Sequence, residues 1–407
     1  MVILEEAVKS AIGKAGGVTA AEQISDANSF IGWMSNLLQW VPFETTQSTE
    51  VLQKLCVFYF VLDQPTMAFF QTDVDPNSVG NGLTTLSAWI VEYAAAMGVF
   101  MSKPPSLTKE SFQTFVVATK YRVWECESPD GSAFHSFNDF FGRHLATPRP
   151  VDTPNSNLVP VYPADSRWGS CHGIDTGSNT WVPAGSLANS KQELITAKGW
   201  TWSVGALLQG SDYASAFGGG VWVHSFLSTF NYHRYHSAVA GRVVDCNVVQ
   251  NAAYLDVVAS GEKLVPRRRI NRDVRGNGND VGAEITAEDQ SGYQFLQTRG
   301  YVIIDTNAAG PENDIGLVAV LPIGMAQVSS VNLSVRKNDM VTKGQEIGYF
   351  QFGGSDIVTV FQKKAGLSPD PSLFNTAMSI DEQGKSLDYT FYGQKLVANP
   401  LSPLPGN

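Results

Sequence analysis

Cysteine, positive charge and long apolar runs are all sparse in this sequence, and each scarcity removes a class of function. Only four cysteines (Cys56, Cys126, Cys171 and Cys246) occur in 407 residues. They form no CxxC pair and have no histidine at zinc-ligand spacing, which excludes a disulfide framework and a structural zinc; reduced thiols fit a cytoplasmic protein. Twenty-eight Lys and Arg stand against 38 Asp and Glu, a formal net charge of -10. Phosphate backbones are bound by clustered cations, so a nucleic-acid partner is excluded, and no basic amphipathic helix near the N-terminus favours a membrane surface. The most apolar stretch, Leu83 to Met101, is interrupted by Glu92 and diluted by Ser, Thr and Gly, so it reads as a buried core helix and not as a membrane span. Residues 1–17 carry acidic side chains early and no sustained apolar core, so a secretory leader is not expected, and without a secretory route the acceptor pattern Asn332-Leu333-Ser334 means little.

What remains is a globular composition, 43% hydrophobic and 16% charged. Up to about Arg143 apolar residues return at helical spacing: Ile31, Met34, Leu37 and Leu38, then Leu52, Leu55, Phe58 and Leu62. Turn chemistry at Pro65, at Asp75 to Asn81 and at Lys103-Pro104-Pro105 divides this into four to six helices, with Ser106 or Thr108 capping the one after Leu107. From Ala146 to Pro163 five prolines mark a boundary. Beyond it come short strand-like runs at Val221–Phe226, Gly241–Val249, Tyr301–Asp305, Ile315–Ile323, Val328–Val335 and Ile357–Phe361, with one or two helices, for example Ser203–Leu208. The expectation is an α+β protein: a helical domain over 1–145, a Pro-rich linker over 146–163 and a β-rich domain over 164–407. Between Gly261 and Gln290, Arg267, Arg268, Arg269, Arg272 and Arg275 precede a Gly- and Asn-rich stretch, read as a surface loop or as a lid that recognises a carboxylate or phosphate.

Three short patterns carry chemistry. His233-x-x-His236 reads as two metal ligands or as two hydrogen-bonded structural histidines; Asp165 after Pro163 reads as a turn carboxylate; Gly353-Gly354-Ser355 reads as a tight turn between strands ending at Phe352 and beginning at Ile357. Together they hold the parts of a serine triad, and the unhindered Gly354-Ser355 bond is one that the Ser355 hydroxyl can attack, giving a chain that cuts itself.

In order along the chain these patterns resemble the phosphatidylserine decarboxylase family. Ser136-Phe137-Asn138-Asp139-Phe140-Phe141-Gly142-Arg143 with Arg149-Pro150-Val151-Asp152, then Lys198-Gly199, Trp202-Ser203 and Leu207-Leu208, are similar to its earlier segments. Tyr232-His233-Arg234-Tyr235-His236 with Gly241 is similar to its most specific motif, and Lys343-Gly344-Gln345-Glu346-Ile347-Gly348-Tyr349-Phe350 with Phe352-Gly353-Gly354-Ser355 completes a match over about 136–361. The resemblance implies a self-processing triad of Asp165, His236 and Ser355, cleavage between Gly354 and Ser355, and conversion of Ser355 into a pyruvoyl group with no pyridoxal phosphate and no metal. It places His233 at the decarboxylation step. The two fragments would remain a non-covalent pair.

Gly-Gly-Ser in place of the membrane enzymes' Leu-Gly-Ser-Thr, and the long helical extension, look more like the soluble branch that decarboxylates free amino acids, fungal tryptophan decarboxylases among them. The expected activity is therefore decarboxylation of a free L-amino acid, aromatic by preference. The alternatives are phosphatidylserine as substrate, and a non-enzymatic, cleavage-dead paralogue. Val335 to Phe350 also resembles a lipoyl or biotinyl carrier hairpin, although no lysine stands in a carrier context. Asp356, next to the future pyruvoyl group, is unusual in either branch.

Overall fold

Seven helices open the chain in the computed structural model, which describes residues 1–74, 78–176, 193–197, 200–261, 263–266, 293–327, 330–352 and 354–405. They are α1 (Val2–Ala21), α2 (Ala27–Leu37), α3 (Glu50–Leu62), α4 (Pro65–Ala68), α5 (Thr85–Met101), α6 (Lys109–Val117) and α7 (Phe137–Phe141). Caps set their starts: Asp26 accepts from the Ser29 N–H at 2.8 Å in a capping box on α2, and Thr108 does the same for α6 with Ser111, as the sequence leads one to expect. The apolar run over 83–101 is α5, with Ile90, Tyr93, Ala94, Met97 and Met101 buried and Val99 exposed. Among the described residues no helix is long and apolar enough to cross a membrane.

The strands follow: β1 (Arg167–Thr176), β2 (Glu193–Ala197), β3 (Trp200–Ser203), the short helix α8 (Val204–Leu207), then β4 (Val221–Leu227), β5 (Arg234–His236), β6 (Gly241–Val249), β7 (Val257–Ser260), β8 (Lys263–Pro266), β9 (Arg299–Asp305), β10 (Leu317–Met325), β11 (Val331–Leu333), β12 (Met340–Val341), β13 (Glu346–Phe350) and β14 (Gly354–Phe361). Nine of them form one antiparallel sheet in the order β12-β6-β9-β10-β14-β4-β1-β2-β3, while β11-β13-β5 make a smaller sheet and β7-β8 a hairpin. The helices-then-strands order is the α+β class expected. The arginine-rich stretch, Lys198-Gly199 and Gly353 lie outside the described residues.

β14 holds the middle of the large sheet, and it begins at Gly354, three residues before the expected start at Ile357. The reason is pairing on both flanks: Ser355 stands opposite Leu227 of β4 and Gly324 of β10, so two ladders draw the Gly-Ser segment out of a turn and into the strand. A single hydrophobic cluster runs from the helices into the sheet. At that junction Phe137 and Phe141 of α7 meet Phe352 with ring centroids at 5.3 and 5.9 Å, and Trp40, following α2, meets it at 6.4 Å. The proline-rich stretch lies against the β-rich part, with the Val161 N–H donating to the Ala238 carbonyl at 3.0 Å and the Asn157 amide to the Ala240 carbonyl at 2.8 Å.

The small sheet is closed so tightly that β13 needs a glycine at its centre. A Cβ on Gly348 would stand 2.1 Å from the Asn332 carbonyl oxygen of β11 and 2.5 Å from the Tyr235 ring of β5. Gly348→Ala is therefore expected to destabilise the protein by about 1–3 kcal/mol or more, because the nearest atom is backbone; a denaturant midpoint equal to wild type would contradict this packing.

Candidate active site

β5 ends in His236, and three neighbours hold its ring. Its Nδ1 lies 2.9 Å from the Gly344 carbonyl oxygen, the Tyr392 ring stacks on it at 3.7 Å and 3°, and Tyr232 lies on it at 5.8 Å and 29°. A carbonyl only accepts, so Nδ1 carries the hydrogen and Nε2 keeps its lone pair. Burial pushes the His236 pKa down to about 3, with the Gly344 carbonyl opposing and Arg234 and Arg149 adding to the shift. The ring is therefore neutral at pH 7, and Nε2 is buried with no hydrogen-bond partner among the described residues.

Asp165 does not touch that imidazole. Its carboxylate accepts from Arg149 at 2.7 Å (Nη2 to Oδ2) and 3.1 Å (Nε to Oδ1), and from the Tyr392 N–H at 2.9 Å. Burial raises the Asp165 pKa, opposed by Arg149 and by the Tyr392 N–H. Burial also works against the Arg149 charge, but Asp165 and Glu125 outweigh it and raise its pKa. The link from Asp165 to His236 thus runs through Tyr392, whose N–H meets the carboxylate and whose ring covers the imidazole.

His233, just before β5, is fully buried with its ring stacked on Phe141 at 3.8 Å. Burial first, and then the positive charge of Arg143, depress its pKa well below the usual range. Arg143 is itself fixed by the carbonyls of Tyr121, Phe230 and Asn231 at 3.0, 3.2 and 3.2 Å. Phe141 also meets Phe352, whose N–H donates to the Asn138 side chain at 2.9 Å. Capped by Ser136, α7 is thus a platform between His233 and the residues leading into Gly354-Ser355.

Ser355 has no exposed surface, and its Oγ has no hydrogen-bond partner among the described residues. Gly324 stands opposite it on β10 and presents no side chain. No hydrogen bond joins Ser355 to His236 or His233 in the uncut chain. On the other face of β14 the buried Asp356 has Oδ2 in contact with the Tyr293 hydroxyl and 3.0 Å from His224 Nε2.

Sequence reading gave no role to several residues of this site: Tyr392, Phe141, Arg149 as partner of Asp165, the Gly344 carbonyl, His224 and Tyr293. Arg149 and Gly344 stand in quoted motifs, but Tyr392 carries no local signal. Lys343 is buried, its ammonium donating to the carbonyls of Ser156 and Val159 at 2.6 and 2.8 Å, with burial pushing its pKa down to about 8, so it presents nothing to a carrier-modifying enzyme. A cleft of about 920 Å³ between α1, α2 and α3, lined by Trp33, Trp40, Glu22 and Lys54, reaches Phe352 through Trp40.

The family model described as phosphatidylserine decarboxylase matches residues 137–379, more than half of the chain. Decarboxylase iboD of Amanita muscaria is 27% identical over 265 residues, 63% of this chain and 68% of that protein. The phosphatidylserine decarboxylase proenzyme of Ruminiclostridium cellulolyticum is 24% identical over 285 residues, 70% and 78% of the two chains. Phosphatidylserine decarboxylase proenzyme 2 of rice is 23% identical, and the match spans 88% of this chain but 52% of the rice protein.

Histidines held neutral by burial make folding sensitive to acid. A group whose folded pKa lies below its unfolded value of about 6.5 binds fewer protons folded than unfolded, so stability falls as pH drops through that value and keeps falling toward pH 3. Thermal melts should lose on the order of a few kcal/mol of stability from pH 7 to pH 4 through His236 and His233. His236→Asn should flatten that slope; an unchanged slope would show the ring to be free to protonate.

Proposed function

The chain belongs to the phosphatidylserine decarboxylase family, whose members are pyruvoyl-dependent carboxy-lyases made as proenzymes, and from that premise we propose that it cuts itself between Gly354 and Ser355 and then decarboxylates a free L-amino acid, aromatic by preference. The observation that carries the reading is a pair of buried, unpartnered atoms of complementary chemistry: the hydroxyl of Ser355 and the lone-pair nitrogen of His236. Leaving such groups unsatisfied costs about 1–3 kcal/mol each, a cost that stability alone does not explain.

In this reading His236 Nε2 takes the Ser355 proton as Oγ attacks the Gly354 carbonyl carbon, and the C–N bond breaks to leave an ester. Loss of the Ser355 α-proton expels the ester as the Gly354 carboxylate; the resulting dehydroalanine takes up water, releases ammonia and ends as pyruvoyl. Asp165 is a positioning residue that acts through Tyr392. Residue 355 fits the group: it is buried, follows Gly354 and faces Gly324, and stands three residues after Phe352, which packs on α7. A pyruvoyl group there supplies a ketone conjugated to an amide, an electron sink for the pair released with carbon dioxide. His233, neutral and dry against Phe141, positions the substrate carboxylate or returns a proton to the α-carbon.

Support for a free amino acid comes from the net charge of -10, the Gly-Gly-Ser site, and the aromatic cleft that holds the Lys54–Glu22 ion pair and whose Trp40 meets Phe352. Phosphatidylserine is the second reading, favoured by the names of the bacterial and rice relatives. The helical domain over 1–145, the linker over 146–163 and the β-rich domain over 164–407 stand as the proposed division. Purified protein should give two fragments by intact mass, split after Gly354, whereas Ser355→Ala should give one inactive chain of 44.1 kDa. Carbon dioxide should be released from free aromatic amino acids; release from phosphatidylserine vesicles alone would move the enzyme to the lipid branch.

A further inference from the structure

One proton in this chemistry has no acceptor among the residues assigned so far. An amino acid reaches the site as an ammonium ion, and an ammonium nitrogen has no lone pair with which to attack a ketone. His236 is placed at chain cleavage and His233 at loss of carbon dioxide. We propose that Asp356 accepts that proton, held for the task by His224 and Tyr293. The inference rests on the reading that residue 355 becomes the ketone-bearing residue.

Asp356 has no exposed surface, and its two oxygens differ. Oδ2 is held on both sides, by the Tyr293 hydroxyl from the turn Tyr293–Phe295 and by His224 Nε2 at 3.0 Å from β4. Oδ1 is buried with no hydrogen-bond partner among the described residues. A carboxylate oxygen left dry and empty is unfavourable until a cation or donor reaches it. The remaining neighbours in register supply none: Phe226 on β4 and Ile323 on β10 are apolar. Arg299 of β9, across Ile323 in the same row, is turned to the carbonyls of Ala206, Leu207 and Gln297.

Position favours the same role. Consecutive Cα atoms stand about 3.8 Å apart, so this carboxylate starts one residue from the carbon to be attacked. In the intact strand the two side chains point to opposite faces. Cleavage ends the strand at 355, and a planar ketone at a chain end is open along the strand axis to a group on either face. The step balances: the ammonium gives one proton to the Asp356 carboxylate, leaving a neutral amine with its lone pair and a neutral carboxyl group. The proton returns when the product leaves as an ammonium ion. His224 is held against the same oxygen, and Tyr293 fixes the angle at which Oδ1 is presented.

Asp356→Asn keeps the shape and removes the base. It should still be cut into two fragments by mass, and phenylhydrazine, which carries a free lone pair at neutral pH, should label it at the wild-type rate. Its kcat/KM for an amino acid at pH 7 should fall on the order of 100-fold or more, with the deficit shrinking as pH approaches the pKa of the substrate amine. Tyr293→Phe, which keeps the carboxylate, should show a smaller loss with the same pH trend and normal labelling. Labelling slowed as much as turnover in both variants, or turnover with an unaltered pH profile, would overturn the proposal. Wild-type protein that is active and uncut would instead remove the cleavage reading, and this one with it.

Discussion

A backbone carbonyl, that of Gly344, decides which nitrogen of His236 is basic. It accepts at 2.9 Å from Nδ1, and in a site dry enough to keep the ring neutral that one contact leaves Nε2 as the lone-pair atom. Much of the surrounding structure serves to hold that carbonyl. Gly344 sits at φ +80°, where a Cβ would strike Val151 at 2.4 Å, and its N–H donates to the Ser237 carbonyl at 2.8 Å. Lys343 beside it ties the turn to Ser156 and Val159. The lysine and glycine of this motif are thus structural: one anchors the turn and the other lets it form.

The two neutral imidazoles and the Asp165 carboxyl group sit in different environments. Aromatic faces enclose both rings, Tyr392 and Tyr232 on His236 and Phe141 on His233, which removes the water that would stabilise their charged forms. Asp165 meets the opposite arrangement, three donors including a guanidinium. The segment 389–392 joins the two: Tyr392 carries its amide to the carboxylate and its ring to the imidazole. A residue close to the C-terminus thereby couples two motifs separated by about 70 positions of sequence.

Much of this was legible in the residues. Helical spacing up to Arg143, the proline-rich boundary and the short strand-like runs that became β4 and β6 follow from local preference, and the family's motifs stood in order. The failures have a common physical origin. β14 began early because two neighbouring strands, and no local propensity, extended it over Gly354 and Ser355. Tyr392, Phe141 and the Asp356–His224–Tyr293 group were invisible because each depends on contacts between residues far apart in the chain. Asp356 drew notice as a departure from the family pattern, yet nothing in the sequence tied it to His224.

The place of β14 in the sheet has a consequence for the lifetime of the processed molecule. With β10 on one side and β4 on the other, the segment after position 355 is threaded through the centre of a nine-stranded sheet before any bond is broken. Once the chain is cut there, refolding would require two separate polypeptides to find each other and rebuild that interior, a second-order process where synthesis had a first-order one. The protein would then have a single opportunity to assemble, and its endurance in use would be set by how slowly that central strand can be withdrawn.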